Sequence, residues 1–207
     1  PAVIMNELGK LNFDSQAVEE DVPLKEMLEG CICCSGAEKT EAQIQSLLHD
    51  AQFDVLIIET TGAAHPVEAL DAVYSPLFAE KLNIKGIVTV ADSKLWLNRT
   101  TLSPQARSLF MEQIRHAHLL LANKSDLLTE SEQAQVVYEL QSFNPHAFIL
   151  QTTNGKVPLK LLQNMQSTAR IDKSDIISAP IGKSFNLGSR LGQFNDSFTQ
   201  EEFEDWV

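Results

Sequence analysis

Cysteine is scarce in this 207-residue chain: there are three, all between positions 31 and 34. Thiols so close together make a poor disulfide framework, because neighbouring cysteines cannot easily satisfy bridge geometry. A reducing, cytoplasmic setting suits them better. Positive charge is also short. Sixteen basic residues stand against twenty-eight acids, a net charge of −12, so the basic footprint of a nucleic-acid surface is missing and no nucleic-acid partner is expected. No apolar run approaches the length of a membrane span, and the first residues lack the basic-then-apolar layout of a signal peptide, so no membrane partner is expected either. Internal repeats and low-complexity tracts are absent. So is the phosphate-cradling pattern G-x-x-x-x-G-K-[ST]. Gly182-Lys183-Ser184 imitates its tail, but Ile177 stands where the first glycine belongs and no helical pattern follows.

What is present is enough for one sizeable α/β core: 43% of the residues are hydrophobic and 21% charged, with length left over for part of a second domain. Short apolar strands are predicted at 1–5, 55–58, 84–90, 119–122 and 147–150. Between them run helical patterns at 40–49, 70–82 (interrupted by Pro76), from Ser103-Pro104 through Ile114, from Thr129 to about Phe143, and from Pro158 to about Met165. Ser103 followed by proline and Thr129-Glu130-Ser131-Glu132 are helix-start signals. Strands alternating with helices predict a mostly parallel sheet with helices on both faces. The polar, serine- and lysine-rich stretch 168–183 reads as a linker after a domain spanning 1–167, and 184–207 as the beginning of another domain.

Three stretches carry chemistry. Gly30-Cys31-Ile32-Cys33-Cys34 concentrates soft thiolates suited to Zn²⁺ or Cu(I). In an extended chain Cys31 and Cys33 share a face, and Cys34 joins them through a turn that Ser35-Gly36 permits. Three thiolates leave one tetrahedral position open, for which Glu7, His65, water and a partner all remain candidates. Inert buried cysteine is the plainer alternative.

Glu59-Thr60-Thr61-Gly62 closes the strand at 55–58. Ligands of α/β sheets sit beyond the carboxyl ends of the strands, so Glu59 points at the expected phosphate site, its carboxylate holding Mg²⁺ through water. Gly62 lets a backbone N–H approach a γ-phosphate. A polar strand end with a turn glycine is the bland alternative. The third stretch, Asn123-Lys124-Ser125-Asp126, follows an apolar strand. Guanine presents two adjacent donors that one carboxylate accepts, whereas adenine has no such pair, so Asp126 would select guanine. Lys124 would lay its stem along the base and Asn123 would tie neighbouring loops together. His65, His116 and His118 read as a loop residue and two helix-end residues, with His65 the one candidate ligand.

Taken in order, these motifs resemble the CobW-like metallochaperone GTPases, P-loop proteins related to the hydrogenase- and urease-maturation GTPases. The likeness rests on Asn6-Glu7-Leu8-Gly9, the 30–34 cysteine motif, Glu59-Thr60-Thr61-Gly62-Ala63-Ala64-His65-Pro66 and Asn123-Lys124-Ser125-Asp126. Asn144-Pro145-His146-Ala147 and Gly155-Lys156-Val157 add to it. It covers 1 to about 166 and resumes weakly at Ser184. Leu8 replaces a usual aromatic, His65 replaces a usual acid, and the linker has no histidine-rich tract.

The resemblance implies a P-loop NTPase-like fold, with 184–207 starting a C-terminal α+β domain. It also implies that a Walker A loop precedes the first strand in the complete protein. The implied function is a GTP-hydrolysing metallochaperone or metal insertase whose cofactors are GTP, Mg²⁺ and Zn²⁺ or another soft or borderline divalent metal. Its partners would be GTP and GDP, a transition metal and a client metalloprotein. Glu59 and Gly62 would act at the catalytic centre; Asn123, Lys124 and Asp126 would bind the nucleotide. Cys31, Cys33, Cys34, Glu7 and Glu59 would bind metal. The rival readings are a metal-binding module without nucleotide turnover and a GTPase switch for a protein partner with a structural zinc site.

Overall fold

A computed structural model describes residues 1–7, 22–28 and 36–165. The chain divides into two units, Pro1–Ile177 and Ser178–Val207, and every described residue belongs to the first. The expected linker and the domain start at 184 lie outside the described residues.

The elements run β1 (Ala2–Glu7), β2 (Leu24–Leu28), α1 (Gly36–Asp50), β3 (Leu56–Glu59), α2 (Pro66–Val73), β4 (Val88–Asp92), α3 (Ser93–Leu97), α4 (Pro104–Arg115), β5 (Leu119–Asn123), α5 (Glu130–Phe143), β6 (Phe148–Gln151) and α6 (Leu159–Gln163). Among the described residues every strand pairing is parallel, so each connection has to cross over the sheet. The sheet comes in two three-stranded parts rather than one piece, ordered β2-β1-β3 and β4-β5-β6. Each part has its own core.

In the first part, α1 lays Thr40, Ile44 and Leu47 along one face, the i, i+4, i+7 spacing of a helix stripe. Ile44 and Leu47 cluster with Ala2 and Ile4 of β1 and with Phe78 from the short turn after α2. In the second part, β5 is the central strand and buries all of Leu119, Leu120, Leu121 and Ala122. Trp96 of α3, 1% exposed, sits beneath it with Ile114, Val136 and Leu140. Phe110 and Phe143 meet its ring at centroid distances of 6.1 and 6.0 Å, and the Arg99 guanidinium lies 4.2 Å from its centre. Full burial of each such large side chain contributes about 1.5–3 kcal/mol.

Several sequence expectations shift. β1 continues through Asn6 and Glu7, which read as a turn, because both pair with β2. β2 itself had no alternating pattern to announce it. β4 begins at Val88 rather than at 84, with Gly86 at φ 153 just ahead of it.

Candidate functional site

Parallel strands deliver their following loops to one end of a sheet, and both sheet parts end in the residues that carry chemistry. In the first, Glu7 of β1 lies level with Leu28 of β2, while Glu59 of β3 pairs with Met5. The chain therefore enters the 30–34 cysteine motif from the same sheet end that presents Glu7 and Glu59. Cys31, Cys33 and Cys34 lie outside the described residues. Among the described residues no three His, Cys, Asp or Glu side chains gather as a metal site.

Glu59 is exposed at the end of β3. Two residues on, the Thr61 Oγ1 is buried with no hydrogen-bond partner among the described residues. Ala64 N–H closes the turn onto Thr61 O at 2.9 Å. Gln113 of α4 donates to Gly62 O at 2.9 Å and Ala64 O at 3.1 Å. Gly62 is not in a left-handed conformation, and among the described residues no atom lies within 4 Å of where a Cβ would be. Nothing among the described residues demands glycine there.

His65 caps α2, its Nδ1 accepting from Val67 N–H at 3.3 Å, which leaves Nε2 as its only nitrogen for a metal. Its ring centre lies 6.3 Å from that of His116. Burial pushes His116 below the usual histidine range against the pull of Glu112, which it meets at 3.3 Å.

The second sheet part ends in the Asn123–Asp126 loop, anchored on both flanks. On one side Asn123 Oδ1 accepts from Thr152 Oγ1 at 3.0 Å and from Gly155 N–H at 2.9 Å. Ser125 Oγ donates to Thr152 O at 2.9 Å, and Gln133 donates to Ser125 O at 2.9 Å. Asn154 and Gly155 both have positive φ, as a turn of that sequence favours. On the other side Lys124, at φ 58 and ψ 31, reaches Asp92 at the end of β4 with Nζ 2.9 Å from Oδ2. Asp126 is exposed at the start of the next turn.

Three contributors were not legible as functional residues. They are Asp92, Thr152 and Gln113. A carboxylate closing an apolar strand just before a helix was the available signal for Asp92.

Parallel strands joined by helices, with polar loops collected at their carboxyl ends, define a nucleotide-binding α/β domain. Residues 1–151 match the family described as CobW/HypB/UreG, nucleotide-binding domain, and the chain belongs to it. It is 31% identical over 163 residues to the "Zinc chaperone YeiR" of Escherichia coli, covering 78% of this chain and 48% of that protein. It is 27% identical over 198 residues to the "Zinc-regulated GTPase metalloprotein activator 1" of Dictyostelium discoideum, covering 79% of this chain and 42% of that one. Its fold matches the crystal structure of Zn(II)-bound YjiA GTPase from E. coli with a TM-score of 0.60 at 18% identity, over 81% of this chain and 54% of that one. The chain thus spans about half the length of the curated relatives it matches.

Proposed function

We propose that the protein binds and hydrolyses GTP as a metallochaperone or metal insertase for zinc, with metal binding at Cys31, Cys33 and Cys34 coupled to nucleotide state. The observation that carries this reading is the loop after β5. Asn123 is spent on holding the Thr152–Gly155 turn, while Asp126 stands exposed beside it, where a carboxylate can accept the paired donors of guanine.

On the phosphate side, Glu59 and the orphaned Thr61 hydroxyl offer hard oxygen donors of the kind Mg²⁺ takes. Bound there, Mg²⁺ would neutralise charge developing on the transferred phosphoryl group. Glu59 would hold it, and Gly62 would admit the γ-phosphate to the backbone.

Zinc is cargo in this reading. The cysteine motif lies between Glu7 and Glu59 in sequence, so nucleotide-driven ordering of those turns would change its ligand geometry. Nucleotide shifts metal affinity only by the free energy with which it distinguishes two metal states, of the order of 1–3 kcal/mol and equal in both directions. The test is a zinc titration of the complete protein with GTP analogue, with GDP and without nucleotide, beside a GTP-versus-ATP competition. GTP is expected to win strongly, zinc affinity to differ between nucleotide states, and Cys33→Ser and Cys34→Ser to lose zinc. Equal zinc affinities in all states would leave a structural zinc site, and ATP binding as tightly as GTP would remove the guanine reading.

A further inference from the structure

Lys124 occupies a backbone conformation that a residue with a Cβ seldom adopts, φ 58 and ψ 31. Such a conformation persists only where the surroundings fix it. Its flanks are fixed: Asn123 is tied to Thr152 and Gly155, and Ser125 to Thr152. The remaining freedom is that of the lysine stem, and Asp92 takes it up. Asp92 and Asn123 are register partners at the carboxyl ends of neighbouring strands, about 4.8 Å apart. The ion pair of 2.9 Å therefore draws the lysine methylenes sideways across those two strand ends.

Asp92 is itself immobilised. Its Oδ1 accepts Leu95 N–H at 2.9 Å as the N-cap of α3, so Oδ2 faces Lys124 from a fixed place. Half-exposed, Lys124 would otherwise sample many rotamers, and a ligand would have to order it on binding.

We propose that Asp92 is a positioning residue of the guanine site: by pinning the Lys124 ammonium, it lays the lysine stem out as a preformed floor for the base. The inference rests on the guanine reading above and adds to it a residue on a different strand. It assigns Asp92 to the base, not the phosphates, so its loss should weaken GTP and GDP alike.

Asp92→Asn is the discriminating variant. Its amide oxygen can keep the cap to Leu95, which turns the NH₂ group toward Lys124, donor against donor. In the complete protein, affinities for GDP and for a GTP analogue are expected to fall by about three- to fivefold together, the scale of a half-exposed ion pair. That deficit should shrink as ionic strength rises. In a Lys124→Met background, Asp92→Asn should cause no further loss, which a purely structural role of the cap would not produce. Unchanged affinity in Asp92→Asn, a loss confined to the GTP analogue, or the same loss in the Lys124→Met background would each overturn the proposal. A wild-type protein with no preference for guanine nucleotides would instead overturn the reading beneath it, without recourse to any Asp92 variant.

Discussion

Asn144 is 5% exposed at the end of α5, and both ends of its amide are used. The Nδ2 group donates to Ile114 O, Arg115 O and Ala117 O at 2.9, 3.0 and 2.9 Å. The Oδ1 accepts from His146 N–H and Ala147 N–H at 3.2 and 3.1 Å. One side chain thus satisfies the carbonyls that end α4 and the amides that lead into β6. Asn144→Ala strands buried polar groups and is expected to cost roughly 2–3 kcal/mol, read as a lowered denaturant midpoint at unchanged slope. Asn144→Asp should cost at least as much, since it sets a carboxylate oxygen against three carbonyl oxygens. In the sequence Asn144 reads as a helix stop before proline and as part of a motif shared with the family, and neither reading reveals these bonds. Its partners lie some thirty positions upstream, and no local pattern reveals a contact of that separation. Asp92 was hidden for the same reason, whereas Asp126 and Glu59 stood out because their motifs are contiguous.

Among the elements, those with chemical punctuation were legible. The Thr129 capping box is formed in both directions and opens α5, and Ser103 caps α4 ahead of Pro104. What stayed illegible was decided by pairing: β2 exists because β1 offers it an edge, and α3 is too short to show a period. The junction between α4 and β5 also carries a pH dependence. His118 Nδ1 accepts from Ile87 N–H at 3.0 Å, so its ring is bound in the neutral form. Burial, with a smaller push from His116, holds its pKa below the ordinary value of 6.5. The folded state then binds fewer protons than the unfolded one, so this stability is present above pH 6.5 and is lost as pH falls through the lowered value. Denaturant midpoints measured from about pH 7.5 down to about pH 5 should fall. His118→Asn keeps an acceptor but cannot titrate, and its curve should be flatter in that window. A slope identical to wild type would place the dependence on other groups.

For the whole molecule the division of the sheet matters most. Among the described residues the outer strands are β2, β3, β4 and β6, and β3 and β4 carry exposed apolar side chains, Val55 and Ile57 at 53% and 50% beside one and Val88 and Val90 on the other. Such edges are templates for pairing with another chain. The span of 207 residues, produced by itself, is expected to self-associate on concentration, followed by light scattering. Val90→Lys, a charge on the exposed face of β4, should suppress it. A monodisperse span at high concentration would mean that the edges are covered.

The same division governs how damage spreads. The cluster around Ile44 and the cluster around Trp96 share no residue. A cavity cut at Ile44 loosens the wall beneath Glu7 and Glu59 and leaves the floor beneath Asn123 and Asp126 packed. Under the proposed reading, substitutions in this chain therefore sort into two kinds before any assay of activity: those that would spoil the proposed metal side while guanine is still recognised, and those that would blind the proposed base site while the other core stands.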